Sequence, residues 1–302
     1  MPVVSHYTTL LVLSFLSILM LNPHAQSFLP HNATQSDHIS YDRSFCGTSK
    51  FNFLSFNARS LFNKMDEIAQ VAIEKRPSLI AICETWANPL EPDSLYELPD
   101  YSLYRHDRQH CRGGGVAVYV HSSIPHKHKT NITMSNFESL WLELDLPNVS
   151  LTVGCSYRPP NTDPYTFCQQ LEPCLGLCNM NSPFLLVGDM NAKHTSWLPT
   201  DITDRAGDLL SYLLDTAGLN QHVSFPTCIS RGNLKSCLDV VISNVPEEDL
   251  SVTSYPPVGA SDHVLVGGHV SLACPPQAPT PQQNVEAWRW NWDPDRVVAL
   301  KD

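Results

Sequence analysis

The chain has 302 residues, 42% of them hydrophobic, and carries 30 acidic against 19 basic residues for a net charge of −11. The apolar content is enough for a full core and argues against general disorder. The negative charge leaves nucleic-acid binding to local basic clusters, because phosphate contacts come from Lys and Arg. Such clusters are the stretch from His121 to Lys129 and the residues Arg158, Lys193, Arg205, Arg231 and Lys235. The ten cysteines show no CxxC pair and no zinc spacing. A chain with this much core does not need disulfides, so mostly reduced thiols are expected, with Cys83 and Cys155 as small buried hydrophobes.

From the N-terminus, Leu10 to Leu21 is an apolar run of 12 residues, shorter than the roughly 20 that span a membrane. Its length suits a signal-peptide core, but no Lys or Arg precedes Arg43, and Pro23 sits at −3 of the best cleavage site, near Ala25. Residues 1–45 are therefore expected to be a poorly ordered leader, with a signal segment as the alternative. The sequons at Asn32, Asn131 and Asn148 matter only under that alternative.

Phe51 to Phe56 predicts a buried strand opening onto Asn57, and Leu61, Met65, Ile68 and Ala72 predict a helix over 60–75. Leu79 to Cys83 predicts a second buried strand delivering Glu84. Gly113 to Val120 reads as a glycine-rich turn into a strand, so these glycines shape backbone and form no phosphate loop. Leu140 to Leu146 and Val149 to Tyr157 form a hairpin, residues 164–179 a helix, and Phe184 to Val187 a strand onto Gly188-Asp189. Asp204 caps a helix that stops at Gly218. Val240 to Ile242 and Val264 to Val270 complete the strands. After the Pro-rich stretch 275–281, Trp288, Trp290 and Trp292 alternate in a polar tail. Hairpins outnumber crossover helices, which favours two packed mixed sheets with outer helices over a doubly wound parallel sheet. The expected division is a catalytic domain over 46–273 and a linker with tail over 274–302.

Polar clusters recur where apolar runs end: Asn57-Ala-Arg-Ser, Glu84-Thr-Trp, Tyr157-Arg-Pro-Pro, Gly188-Asp-Met-Asn-Ala-Lys-His, Leu238-Asp and Ser261-Asp-His. They supply carboxylates, amides, a phenol and an imidazole, which suit hydrolysis of a phosphate ester with a hard divalent cation. Glu84 is the best primary metal ligand, and Asn57 adds an amide oxygen or holds a metal-bound water. Asp262 is a candidate second metal-side ligand. Asp189 is placed to orient and deprotonate water, Asn191 to contact the phosphate, and Tyr157 to hydrogen-bond a phosphate oxygen. His263 stabilises developing charge if it is kept protonated, and Asp239 is the candidate partner that keeps it so. Arg158 and Lys193 are candidate substrate contacts, and His194 is either structural or a substrate contact. Each residue alone has a commonplace explanation as a turn, cap or solvated acid; their conjunction in order singles out the chemistry.

These motifs resemble the endonuclease/exonuclease/phosphatase superfamily, with the deoxyribonuclease-I-like fold, over roughly residues 50–272. More narrowly, they are similar to the apurinic-type endonuclease domain of non-LTR (LINE-type) retrotransposons. The resemblance implies a four-layer αββα sandwich. It also implies Mg²⁺, or Mn²⁺, at Asn57 and Glu84, phosphate contact by Tyr157, and water activation by Asp189 with Asn191. An Asp239–His263 pair with Asp262 beside it completes the implied site. In that family the nick in DNA leaves a 3′-hydroxyl that primes reverse transcription of the element's RNA. The Trp-rich tail resembles the segment leading towards a reverse transcriptase, which the 302 residues do not include. The implied working place is intracellular and nuclear. The alternatives are a secreted nuclease or phosphodiesterase of the same fold and a truncated non-catalytic relic.

Overall fold

The computed structural model describes residues 49–272, except positions 110, 133, 135, 148, 179 and 231. The leader and the Trp-rich tail lie outside the described residues. Two six-stranded sheets form the body. The first contains β1 (Ser49–Asn57), β2 (Leu79–Cys83), β3 (Tyr101–His106) and β4 (Val116–His121), with β13 (Leu250–Tyr255) and β14 (Leu265–Leu272), in the order β13-β14-β1-β2-β4-β3. The second contains β5 (His126–His128), β6 (Ser139–Leu146), β7 (Val149–Ser156), β8 (Phe184–Asp189), β9 (Asn220–Gln221) and β12 (Asp239–Ser243), in the order β5-β6-β7-β8-β12-β9. A separate small hairpin pairs β10 (Cys228–Ser230) with β11 (Asn233–Ser236).

Three helices complete the layers: α1 (Met65–Lys75), α2 (Pro164–Gly176) and α3 (Arg205–Ala217). Among the described residues no helix is long and apolar enough to cross a membrane. The layering follows from period-2 alternation on strands buried on both faces. In β1, Phe51 and Phe53 join the core between the sheets, while Leu54 and Phe56 join Ile68 and Ala72 of α1 on the outer face. In β8, Leu185 and Val187 point inward, while Phe184 and Leu186 meet α2 and α3 outside. Both-sided burial is why these strands read as unbroken apolar runs. The expected four-layer sandwich of two mixed sheets with helices outside is the observed architecture.

Each sheet is built around one parallel pair. β1 runs parallel to β2 after α1, and β7 runs parallel to β8 after α2. β14 and β12 are antiparallel to β1 and β8. The C-terminal ends of the four parallel strands and the N-terminal ends of β12 and β14 therefore arrive at one rim.

Helix ends are set locally. The side chain of Asp204 accepts from the Gly207 N–H, and Gly218 closes α3 with φ of 66°. Asp163 caps α2 in the same way through the Thr166 N–H. The helix expected over 60–75 begins only at Met65, because Arg59 and Ser60 have φ of 41° and 92°. The Ser60 and Leu61 N–H groups are taken by the carbonyls of Glu84 (3.0 Å) and Thr85 (2.8 Å), so this segment extends the sheet contact before it coils. The strands β3, β5, β9, β10, β11 and β13 were not anticipated, being short or edge strands without an apolar run. The basic stretch at β5 is neutralised in place: Lys127 and Lys129 each contact Glu143 at 2.7 Å. Eight described cysteines carry free thiols, and Cys83 and Cys155 are buried in β2 and β7.

Packing is tight where Gly154 in β7 faces the fully buried Trp141 in β6; a Cβ on Gly154 would lie 2.5 Å from the indole ring. Gly154→Ala should destabilise the protein by about 1–3 kcal/mol in denaturant titrations. Trp141→Leu makes room, so the double variant should be at least ~1 kcal/mol more stable than the two single effects sum to. Strict additivity would show that the indole does not press on Gly154.

Candidate active site

The rim turns the core polar. Asn57, Tyr157, Asp189 and Asp239 continue the inward-facing parity of β1, β7, β8 and β12, one step beyond the apolar residues of the inter-sheet core. All four are buried. Glu84 follows β2 with φ of 52°, and Trp86 and Asn191 have φ of 54° and 43°. Left-handed backbone at non-glycine residues costs on the order of 1 kcal/mol or more each, and such strain gathers at functional sites.

Two connected groups form the site. In the first, three donors converge on the Glu84 carboxylate. Asn57 Nδ2 and Tyr157 Oη donate to Oε1, each at 2.8 Å, and Trp86 Nε1 donates to Oε2 at 3.0 Å. Burial and the neighbouring Glu84 push the Tyr157 phenol well above its ordinary range, so it acts as a donor here. In the second group, Asp189, Asp239 and His263 bring one ligand atom each to within 4.8 Å of one another. His263 Nδ1 donates to Asp239 Oδ2 at 2.7 Å, and His263 Nε2 lies 4.0 Å from Asp189 Oδ2. Asn57 joins the groups, because the same Nδ2 also donates to Asp189 Oδ2 at 2.8 Å.

The electrostatics follow from this crowding. Burial first, and then the facing Asp239, raise the Asp189 carboxyl to about 7, against the pull of His263 and the Asn57 hydrogen bond. Burial disfavours a charged His263, but Asp239 outweighs it, with Cys228 and Asp189 also acting upward, and the imidazole rises to about 12. His263 is thus an imidazolium whose charge offsets the two carboxylates.

Several predicted residues take places other than those expected. Arg158 is buried rather than open to substrate. Its guanidinium donates to the carbonyls of Met190 (2.7 Å), Thr162 (2.7 Å) and Asn191, and its own N–H donates to Asp189 O at 2.9 Å. With its donors committed to backbone, Arg158 is a strut for the turn that carries Asp189. Asn191 is tied to the same strut: its Nδ2 donates to Arg158 O at 2.9 Å and its N–H to Asp189 Oδ1 at 2.9 Å. Asp262 pairs with Arg59 at 2.7 Å, outside the Asp189–Asp239–His263 group. The Asn57 amide oxygen accepts from the Arg59 N–H at 3.0 Å, while its nitrogen faces the carboxylates. His194 binds Ser196 Oγ at 2.6 Å through Nδ1, and the Lys193 N–H meets Asp204 Oδ1 at 3.3 Å.

The roles of three further residues had no signal in the sequence. Thr227 Oγ1 accepts from the N–H groups of Leu238 and Asp239, each at 3.0 Å, and fixes the start of β12. Ser261 Oγ donates to Asn57 O at 2.6 Å and accepts from the His263 N–H at 3.1 Å, tying the imidazole to the end of β1. Cys83 Sγ accepts from the Asp189 N–H at 3.4 Å, linking the two sheets. Apart from the local Ser261–His263 bond, the contacts that reveal these roles span 11 to 204 positions along the chain.

The donor set suits a hard divalent cation: the carboxylates of Glu84, Asp189 and Asp239 supply oxygen ligands, and Asp239 Oδ1 is buried without a hydrogen-bond partner. Glu84, with Asn57 beside it, or the Asp189–Asp239–His263 group could hold one.

The sequence profile of the endonuclease/exonuclease/phosphatase family matches residues 51–263, from the first core strand to the imidazole. The chain belongs to that family. Membership makes this protein an enzyme of the nuclease and phosphodiesterase class. Among solved structures, this family member resembles the endonuclease domain of TRAS1, a telomere-specific non-LTR retrotransposon. The TM-score is 0.63 at 18% identity, covering 74% of this chain and 100% of that one. It also resembles the AP endonuclease LMAP from Leishmania major, with a TM-score of 0.61 at 13% identity, over 74% of this chain and 88% of that one. At such identities the likeness is one of fold. A curated relative, the probable RNA-directed DNA polymerase from transposon BS of Drosophila melanogaster, is 22% identical over 205 residues. That match covers 66% of this chain and 22% of the relative, so the chain spans about a fifth of the relative's length.

A raised carboxyl pKa means that the folded state resists ionisation. The cost of a charged Asp189 is absent below about pH 3.8, grows towards pH 7 and is constant above. In chelator, Asp189→Asn should therefore melt at a higher temperature than the parent protein at pH 8, with the difference shrinking as pH falls towards 4. A pH-independent difference would show that ionisation of Asp189 does not strain the fold.

Proposed function

We propose that this protein is a Mg²⁺-dependent endonuclease of the retrotransposon type, nicking DNA to leave a 3′-hydroxyl that primes reverse transcription. The observation that carries the reading is the bridge made by Asn57. It places a rim carboxylate, Glu84, and a buried base with its imidazolium partner, Asp189 and His263, in one hydrogen-bonded unit.

Asp189, raised to about 7, is matched to taking a proton from water near neutral pH. As the water oxygen bonds to phosphorus, its proton passes to the Asp189 carboxylate, the bond from phosphorus to the 3′-oxygen breaks, and the departing 3′-oxygen takes a proton from solvent water. The products are a 5′-phosphate and a 3′-hydroxyl. His263 donates from Nε2 to a phosphate oxygen as charge develops there, while Asp239 on Nδ1 fixes the ring and keeps it charged. Tyr157 Oη is oriented towards the same region through Glu84. Glu84, with Asn57 beside it, would hold a divalent cation, Mg²⁺ or Mn²⁺, which would supply positive charge against the negative charge that develops in the reaction. The Arg158 strut holds Asp189 still, which is a contribution of position rather than of chemistry.

The relatives support DNA as the substrate and a reverse transcriptase with its element RNA as the wider partners. The transposon BS protein bears the polymerase in its name, and TRAS1 is a non-LTR retrotransposon. A chromosomal substrate makes the nucleus the place of action. The exposed guanidinium of Arg112 supplies local positive charge for DNA on a chain whose net charge is −11.

Purified protein with Mg²⁺ should convert supercoiled plasmid to open circles, and EDTA should stop it. Asp189→Ala and His263→Ala should each lower the rate by about 100-fold or more. Unchanged nicking in both variants would overturn the assigned roles, and an inert but folded parent protein would identify a relic.

A further inference from the structure

The glycine-rich loop has a connection to the site that the reaction scheme leaves unused. Trp86 Nε1 donates to Glu84 Oε2 at 3.0 Å, and among the described contacts it is the partner of that oxygen. The other oxygen, Oε1, is held from both sheets by Asn57 and Tyr157. Without the indole N–H, the carboxylate would lose its third anchor and could turn about its last bond.

Trp86 is itself fixed by the loop. Its N–H donates to Gly114 O at 2.9 Å, and its backbone is held at φ of 54°. The exposed guanidinium of Arg112 lies over the indole, 5.2 Å from the ring centre. The loop is pinned from behind: the Gly115 N–H donates to the Glu138 carboxylate, which also binds Arg108 at 2.7 Å. Gly114 has φ of 65°, and a Cβ there would lie 2.2 Å from the Arg108 guanidinium, so a side chain would displace the Arg108–Glu138 pair. The glycines therefore press a rigid backbone against Trp86, and Trp86 transmits that order to Glu84.

We propose that Trp86 is a positioning residue for the Glu84 carboxylate and sets the affinity of the cation site that the nuclease reading assigns to Glu84. An indole that merely filled space would need no donor aimed at Oε2. Outer partners of metal-binding side chains commonly change metal affinity by about 10-fold or more when removed.

The test is Mn²⁺ binding to the full-length protein without DNA, followed by electron paramagnetic resonance, with thermal melting in parallel. Trp86→Phe keeps an aromatic ring and removes the N–H, and should raise the Mn²⁺ dissociation constant by about 10-fold. Trp86→His restores a ring N–H and should recover most of that loss. The Mg²⁺ concentration for half-maximal plasmid nicking should rise in step in Trp86→Phe, with most of the rate regained at saturating Mg²⁺. Parent-like Mn²⁺ affinity in folded Trp86→Phe overturns the proposal and leaves the nuclease reading intact. Should Trp86→Phe fail to fold, Trp86→His decides alone: affinity within about threefold of the parent's supports the proposal, and a loss of about 10-fold or more overturns it. A parent protein that binds no Mn²⁺ overturns the cation site as well.

Discussion

Asp189 and Asp239 stand directly opposite each other on neighbouring antiparallel strands, buried at the rim of the inter-sheet core. Two carboxylates so placed cannot both ionise unless compensating charge and donors are built around them. The surroundings meet that demand. His263 lies against both acids, Asn57 and the Asn191 N–H donate to Asp189, and Thr227 fixes the backbone that carries Asp239. The register of β8 against β12 thus sets the electrostatic problem, and the remainder of the site is arranged around its solution.

Strain and rigidity are distributed accordingly. Five of the seven non-glycine residues with left-handed backbone among the described residues, Arg59, Ser60, Glu84, Trp86 and Asn191, surround the rim. They are held by contacts that leave little freedom: Arg158 grips the Asp189 turn through three backbone carbonyls, and Ser261 ties His263 to the end of β1. A Cβ on Gly188 would lie 1.9 Å from Ser156 O, so the turn onto Asp189 requires glycine at that approach. The stability of the core supports a rim that would be less strained if it were inert.

Much of this was legible in the sequence, for a specific reason. Asn57, Tyr157 and Asp189 each follow an apolar run and Asp239 precedes one, all in step with its period of two, so the pattern that marks the strands also marks where they become polar. The parallel pairs were visible because both-sided burial leaves long apolar runs. The edge strands β3 and β13 were not, since an edge strand keeps polar residues on its open side. The commitments of Arg158, Thr227, Ser261 and Cys83 were invisible for a different reason. A buried guanidinium and a surface one read alike in sequence, and what distinguishes them is a set of carbonyls brought close by folding. The late start of α1 belongs to the same class, because its first turn is displaced by hydrogen bonds to the segment after β2.

Neither sheet holds a site by itself. Asn57 and Glu84 come from one sheet, Asp189 and Asp239 from the other, and His263 is fastened to the first through Ser261. The decisive contacts link residues 132 and 204 positions apart, and contacts of such long range form late, because loop closure must precede them. A growing chain therefore has no complete site while strand after strand leaves the ribosome, and the site comes into being only when His263 has left the exit tunnel and the two sheets have closed on each other.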